Sequence, residues 1–176
     1  SRTRRRVPAQ PQALETPGTI TFDEAYHGAE RMVEVDGRRL QVKIPPGAQN
    51  GTRVRMANAG PAAPAGQRSD LYLVVSVVPD GRFDQQGSDL TTDVSIDLVS
   101  AVLGGQVKVP TPGGEVVLTI PAGTQPGQKF RLAGRGMPLL KNPSQHGDLF
   151  ARVSIQIPKQ LTAQQRALFE KLREMR

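Results

Sequence analysis

The segment Ile44-Pro45-Pro46-Gly47-Ala48-Gln49-Asn50-Gly51 recurs 76 residues later as Ile120-Pro121-Ala122-Gly123-Thr124-Gln125-Pro126-Gly127. Other residues repeat at the same offset, and the pairs are Gly28 with Gly104, Arg55 with Arg131, and Gly60 with Gly136. After a loop that is two residues longer in the second copy, Asp70-Leu71-Tyr72 corresponds to Asp148-Leu149-Phe150. This spacing exceeds the period of most solenoid repeats, so it predicts two copies of one small domain.

Apolar residues alternate with polar ones through most of both copies. Leu40, Val42 and Ile44 show this period of two in the first copy, and the run from Leu149 to Ile157 shows it in the second. Such alternation is typical of half-buried strands. We therefore predict an all-β chain of two tandem small β-sandwich domains, with hairpin turns at Asp36-Gly37 and Gly113-Gly114.

Short helices and a final amphipathic helix complete the predicted pattern. Two helical turns fit residues 23–27 and 97–103, each closed by a glycine. After Pro158, Thr162 and Gln165 form a capping box. An apolar stripe follows on one helical face: Leu161, Leu168, Leu172 and Met175. Such a stripe is expected to pack either on the second domain or against another chain.

The predicted boundaries are a basic disordered linker at residues 1–12, domain I at 13–82, domain II at 83–158 and the C-terminal helix at 159–176. The net charge of the chain is +7, and the linker contributes four positive charges to it: Arg2, Arg4, Arg5 and Arg6. We interpret it as a solvated linker, with a nucleic-acid arm as the alternative. The rest of the chain carries both signs of charge and few aromatic residues.

Composition bears on the possible chemistry. With no Cys and only two His, the sequence shows no metal-ligand spacing, and its carboxylates form no evident catalytic pair. We expect no metal, no cofactor and no enzymatic activity, and we expect His27 and His146 to be surface residues. No apolar run is long enough to span a bilayer and no secretory start is present, so we expect a cytoplasmic protein without membrane contact.

The duplicated Ile-Pro-x-Gly-x-x-x-Gly segment, the turn at residues 134–138, Asn142-Pro143 and the two Asp-Leu strand starts resemble the C-terminal region of DnaJ-type co-chaperones. The resemblance extends from about Leu14 to Arg176. It implies two β-sandwich domains and a dimerisation helix in a homodimer. It also implies a role in holding unfolded polypeptides for a DnaK-type ATPase chaperone.

The sequence departs from complete family members in two ways. It has no His-Pro-Asp triplet, so the J domain that stimulates the ATPase is not in this sequence, and we expect a fragment that lacks its N-terminal part. It also has no Cys-x-x-Cys insertion. The chain therefore resembles the zinc-free subclass, which includes nucleoid-associated DnaJ-like proteins.

The resemblance implies a shallow apolar groove in the first domain, where a client segment adds as a strand. The corresponding positions are Leu14, Val33, Val35 and Leu73, with Leu14 less secure because Thr16-Pro17-Gly18 interrupts its strand. Ordinary sandwich core is the alternative for each. Arg31 corresponds to a basic site for the partner chaperone's acidic tail, and a solvated strand charge is the alternative.

The second domain has Val107 and Val109 near Pro110 on the equivalent strand, which suggests a spacer or a weaker client site. The sequence thus predicts a chaperone fragment that binds exposed apolar segments of unfolded polypeptides by β-augmentation. A nucleoid-associated DNA-binding module that uses the basic tail is the alternative. Salt dependence distinguishes these two functions, because phosphate binding weakens steeply as salt is added.

Overall fold

The computed structural model describes residues 13–176, so the predicted basic linker of residues 1–12 lies outside the described residues. Elements of the first repeat follow in chain order: β1 (Leu14–Ile20), α1 (Phe22–His27), β2 (Ala29–Val35), β3 (Arg38–Ile44), β4 (Arg53–Met56) and β5 (Leu71–Val77). Elements of the second repeat and the C-terminal helix are β6 (Asp84–Gln86), β7 (Asp89–Asp97), α2 (Leu98–Leu103), β8 (Gly105–Thr111), β9 (Gly114–Ile120), β10 (Lys129–Leu132), β11 (Pro138–Leu139), β12 (Asn142–His146), β13 (Leu149–Gln156) and α3 (Ala163–Glu174).

The two repeats share one topology. In the first, β5 lies between β1, which is parallel to it, and β4, which is antiparallel. In the second, β13 lies in the same way between β7 and β10, and β6 adds to the outer edge of β7. Each repeat also has a separate two-stranded hairpin, β2–β3 or β8–β9. The predicted all-β fold class with an internal duplication and a C-terminal helix is confirmed.

The turns follow the offset of 76 residues. Asp36 and Gly37 form a two-residue hairpin turn with φ of 50° and 72°, which is the left-handed backbone that this turn requires. The predicted turn at Gly113-Gly114 is wrong by one residue, since the loop is Pro112–Gly113 and Gly114 begins β9. The predicted domain boundaries stay a prediction, and the chain passes between the sheets from Val77 to Asp84.

The predicted short helices are confirmed, and their caps explain their length. Thr21 accepts a hydrogen bond from the backbone N–H of Glu24 at the start of α1, and Asp97 caps α2 in the same way at Ser100. Gly28 and Gly104 end the two helices with φ of 83° and 85°. Each helix therefore carries the chain from the large sheet of its repeat to the hairpin.

The buried side chains form one continuous cluster across both repeats. Phe22 stacks on Phe83 at 5.4 Å between ring centroids. A Cβ atom at Gly47 would stand 2.5 Å from the carbonyl oxygen of Pro138, so the turn after β3 is packed against β11. Because the repeats share these contacts, they pack directly on each other.

His146 departs from the sequence prediction. It lies at the end of β12 and is half-buried, with its Nδ1 atom 3.1 Å from the carbonyl oxygen of Gly136. Its ring also lies 5.6 Å from that of Tyr26 in the first repeat. Packing between the repeats covers this side chain, which the local sequence does not reveal, whereas His27 is exposed as expected.

Candidate functional site

The site predicted in the first repeat begins on the core-facing side of β1 and β5. The parallel register pairs Leu14 with Leu71 and Thr16 with Leu73, so these side chains share one face of the sheet. Leu73 is only 2% exposed and belongs to the core cluster, whereas Leu14 is 45% exposed at the start of the edge strand. Contact of either residue with a client stays a prediction. A client could contact Leu73 only from the side of the sheet on which the leucine side chain lies.

Gly18 leaves room for the side chain of Leu73 on the neighbouring strand. A Cβ atom at position 18 would stand 2.7 Å from Cδ1 of Leu73, which is closer than two carbon atoms can pack. The glycine is therefore required by the position of the leucine side chain. The interruption Thr16-Pro17-Gly18, which looked unfavourable for a strand, lies inside β1.

The second part of the predicted site is carried by β2. Val33 and Val35 alternate with exposed residues and are half-buried. Val33 packs against the buried cluster that contains Leu73. Met32 points to the opposite face and is 61% exposed. The common facing of Val33 and Val35 agrees with the period-two prediction.

Both β1 and β2 have an unpaired edge in the part of the chain that the structure describes. Strand β1 is the outer strand of its sheet, and β2 pairs only with β3. Pro17 agrees with the edge position of β1, since proline has no N–H to donate to a neighbouring strand. Free backbone groups next to half-buried aliphatic side chains are the features that allow an extended chain to add as a strand.

Arg31 lies on the same face of β2 as Val33 and already has an acidic partner. Its Nη2 atom donates to Oε1 of Glu24 at 2.5 Å. The same carboxylate accepts from the backbone N–H of Thr21 in the capping box of α1. These hydrogen bonds, first from Arg31 and then from Thr21, lower the pKa of Glu24. An acidic tail at Arg31 would therefore compete with Glu24.

The equivalent positions of the second repeat are closed. Val109, which corresponds to Val33, is 0% exposed, and Leu90, which corresponds to Leu14, is 1% exposed. Ala151 stands in the place of Leu73 and is also buried. The two repeats therefore share a topology but differ in how much apolar surface they present at this site.

A second apolar surface lies at the end of the second repeat. A cleft of about 680 Å³ runs between α2, the end of β13 and α3. Its exposed apolar lining includes Val99, Val102, Leu103 and Ile157, together with Leu161 and Leu168. The sequence analysis missed the α2 part, although helix α2, Leu98–Leu103, has only Ser100 as a polar residue.

The predicted stripe of α3 faces this cleft or solvent. The capping box of Thr162 and Gln165 is confirmed. No residue of α3 is buried. Leu161 and Met175 flank the helix, which spans Ala163–Glu174, and all four predicted stripe residues are exposed: Leu161 37%, Leu168 56%, Leu172 60% and Met175 79%. The role of these residues in dimerisation stays a prediction.

Within residues 13–176, no three His, Asp or Glu side chains lie together as a metal site requires. None of the helices described is long and apolar enough to cross a membrane. The perturbed carboxylates are hydrogen-bonded to arginines or to backbone N–H groups. Asp70 and Asp148 are examples, and their pKa values are lowered first by the backbone N–H of Asn58 or Gly134.

Known proteins are similar to this chain in sequence. Residues 14–158 match the model of the DnaJ C terminal domain. The chain is 38% identical over 164 residues to the chaperone protein DnaJ of Deinococcus proteolyticus, with 93% of this chain and 51% of that protein covered. It is 42% identical over 156 residues to the chaperone protein DnaJ 2 of Thermus thermophilus, where the coverage is 88% and 54%.

A DnaJ-like protein of Synechocystis is 40% identical over 158 residues, which cover 89% of this chain and 47% of that protein. The chain thus spans about half the length of the curated relatives that it matches. The family match covers both repeats and ends just before α3. The chain belongs to the DnaJ C-terminal domain family, a family of chaperones.

Proposed function

We propose that this chain binds exposed apolar segments of non-native polypeptides in a groove between β1 and β2 of the first repeat. The open edges of these strands, next to half-buried Val33 and Val35 and exposed Leu14, are the observation that carries the proposal. Main-chain hydrogen bonds to an edge strand accept any client sequence, while the aliphatic side chains select apolar ones. The chain itself holds its client without chemical conversion.

Binding of this kind is weak. The apolar surface at Leu14, Val33 and Val35 is small, and the floor at Leu73 is already packed. An extended client also loses conformational entropy when it is ordered. We expect a Kd on the order of micromolar, with rapid exchange of clients.

We propose that α3 pairs two copies of the chain. An amphipathic helix of 12 residues needs a packed surface to be stable in water. The contacts that join the two repeats support the choice of the surface on which α3 would pack. Tyr26 of α1 packs beside Gly113 and His146 of the second repeat and is half-buried, whereas its equivalent Val102 on α2 is 56% exposed. Gly47 is packed against β11, whereas its equivalent Gly123 faces open space.

The second repeat therefore presents an uncovered copy of the face that the first repeat packs against its neighbour, and α3 extends it. A second copy of the chain that brings its own α3 would cover both apolar surfaces in one symmetric interface. Two linked grooves would also hold a large client more tightly than one groove does. We propose further that the bound client is delivered to a DnaK-type ATPase chaperone in the cytoplasm.

The test is a titration of the full chain into fluorescently labelled α-lactalbumin that has been reduced and carboxymethylated, and so stays unfolded. The control is native calcium-bound α-lactalbumin, which has the same sequence. We expect fluorescence anisotropy to rise with the unfolded form only. Increasing the salt about fourfold should change the Kd by less than about twofold, whereas phosphate contacts would weaken by orders of magnitude.

Equal binding of the native form would contradict the proposal. So would a steep salt dependence together with tighter binding of duplex DNA, which would instead favour the basic tail as a nucleic-acid arm. Sedimentation of the same sample measures the mass of the particle and so tests the proposed dimer.

A further inference from the structure

One charged side chain stands in the core-facing row of β2. This row consists of Ala29, Arg31, Val33 and Val35, and Arg31 is the only charged residue among the four. Successive side chains on one face of a strand lie about 7 Å apart, so Arg31 directly follows Val33 along the proposed groove. The Arg31 side chain is 38% exposed, so a segment bound at Val33 can reach it.

The second repeat shows that the shared fold does not need a charge at this position. The residue 76 places after Arg31 is Val107, which packs against the buried core. Ser100 stands in the place of Glu24, and Asp97 caps α2 there without a glutamate. Both members of the ion pair are therefore absent from the second repeat, although its strands and helix are equivalent. The pair is an addition of the first repeat and not a requirement of the fold.

Glu24 is held where it neutralises Arg31. Its Oε1 atom accepts from Nη2 of Arg31 at 2.5 Å and from the backbone N–H of Thr21 at 3.1 Å. These hydrogen bonds, that from Arg31 first, lower the pKa of Glu24, so the carboxyl group is ionised at neutral pH. The carboxylate cannot turn away without breaking the capping box of α1. A bound segment therefore meets a neutral pair at this position and not a positive charge.

An acidic segment is at a disadvantage at this end of the groove. A client carboxylate must displace Glu24 from Arg31 or lie beside it, and two carboxylates that share one site repel each other. A neutral or apolar side chain leaves the ion pair intact. Arg38 lies farther along the hairpin, opposite Val35, and its Nη2 atom donates to the carbonyl oxygen of Ala59. Its contribution is the same whether or not Glu24 is present.

We infer that Glu24 is a specificity-determining residue of the proposed groove, because it neutralises Arg31 and so disfavours acidic segments at the end of the groove next to α1. Without the Glu24 carboxylate, Arg31 would bind a client carboxylate beside an apolar side chain packed on Val33. This inference rests on the proposed function, and it names the class of segment that the groove rejects.

The test compares two nine-residue peptides in which leucine alternates with threonine and every second leucine is replaced. One peptide carries glutamate at the replaced positions and the other carries glutamine. When a leucine packs on Val33, either direction of binding then places a replaced residue beside Arg31. Fluorescence anisotropy gives the Kd of each peptide for the full chain at pH 7, and the ratio of the two Kd values measures the preference for acidic segments.

Glu24→Gln removes the carboxylate but keeps the capping box, since glutamine fills the same place in the capping box of α3. The ratio should shift about tenfold toward the glutamate peptide, the effect of one hydrogen bond to a charged group. Affinity for the glutamine peptide should change less than about twofold. Asp23→Asn is the matched control, because it removes the same charge from an exposed residue of the same helical turn. It should leave the ratio unchanged.

A double variant separates the charge of Arg31 from its structural role. Arg31→Val copies Val107 of the second repeat, and together with Glu24→Gln it should abolish the shift toward the glutamate peptide. Added salt should reduce the shift in the single variant Glu24→Gln, because the guanidinium is partly exposed. Thermal melting verifies that each variant is folded.

Three outcomes would overturn the inference while the proposed function stands. The first is an unchanged ratio in Glu24→Gln. The second is an equal shift in Asp23→Asn, which would assign the effect to net charge. The third is equal weakening of both peptides with a lower melting temperature, which would make Glu24 a structural residue only. If the unchanged chain binds neither the glutamine peptide nor carboxymethylated α-lactalbumin, the proposed function fails together with the inference.

Discussion

Gly18 of β1 is a diagonal neighbour of Leu73 of β5, so close that a methyl group at position 18 would stand 2.7 Å from the leucine Cδ1 atom. Leu73 forms the floor of the proposed groove. Its side chain can occupy this position only because residue 18 has no side chain. Leu73 is 2% exposed, which makes it part of the fold before it is part of any binding surface.

This contact predicts a loss of stability on Gly18→Ala. The added methyl group must displace the Leu73 side chain inside a packed core, which costs about 1–3 kcal/mol. Urea unfolding should show a free energy of unfolding lower by this amount. The double variant Gly18→Ala with Leu73→Val should recover part of the loss, because valine is smaller. An unchanged midpoint for Gly18→Ala would show that Leu73 is free to move.

A charge at Val33 should weaken client binding without unfolding the chain. Val33 is half-buried on β2, so Val33→Asp places a carboxylate where an apolar client side chain would pack. We expect affinity for carboxymethylated α-lactalbumin to fall about tenfold or more, the effect of about 1.4 kcal/mol. Far-UV circular dichroism should be unchanged.

Met32→Asp is the matched control for this variant. It places the same charge one residue away, on the opposite and exposed face of β2. It should leave client affinity unchanged. Equal loss of binding in both variants would indicate that the protein's net charge, and not the groove, determines affinity. Leu73→Asp is unsuitable for this purpose, because its burial predicts unfolding.

Acid should destabilise both repeats through one duplicated interaction. Asp70 accepts from Arg55 and from the backbone of Asn58, and Asp148 accepts from Arg131 and from the backbone of Gly134. These hydrogen bonds lower the pKa of both carboxyl groups from the ordinary value of 3.8. Their contribution to stability is therefore present above about pH 4 and is lost as the pH falls through the lowered values.

The double variant Asp70→Asn with Asp148→Asn tests this linkage. Its melting temperature at pH 7 should be lower than that of the unchanged chain, and the difference should shrink as the pH decreases toward 2. A difference that stays constant over this range would show that the two carboxylates are not the source of the acid sensitivity.

Charges in the stripe of α3 should separate the proposed dimer. Leu168→Lys with Leu172→Lys puts two ammonium groups on the apolar face that lines the cleft with α2. Light scattering should then report a folded monomer, and large unfolded clients should lose more affinity than short peptides do. Ala167→Lys is the control, since it is exposed and does not line the cleft.

A chain that is monomeric at micromolar concentration without any substitution would contradict the proposed pairing. Dimers that persist in the double lysine variant would contradict the role of α3 in it.

Much of the architecture could be predicted because α1 and strands β1 to β4 each have an equivalent 76 residues later, and β5 has one 78 residues later. The alternation of Leu40, Val42 and Ile44 predicted β3, that from Leu149 to Ile157 predicted β13, and glycines located the ends of α1 and α2. Exposure could not be predicted in this way. Leu14 and Leu90 have equivalent positions, yet only Leu90 is buried. Strand β6 pairs with β7 beside Leu90, and the local sequence pattern does not predict this pairing.

The candidate site was predictable to a similar extent. Val33 and Val35 share a face, as their spacing requires. The ion pair between Arg31 and Glu24 joins residues of different elements across the capping box of α1, so no pattern along the chain indicates it. The exposed apolar face of α2 was missed because a short apolar segment that follows a strand has the same composition as a segment of the buried core.

The most direct test of the central claim is a methyl NMR titration of the full chain with a short peptide in which leucine alternates with threonine. We predict that chemical shifts change for Leu14, Val33 and Val35 in the first repeat, while those of Val107 and Val109 in the second repeat do not. Shifts confined to the second repeat, or to the cleft between α2 and α3, would contradict the account.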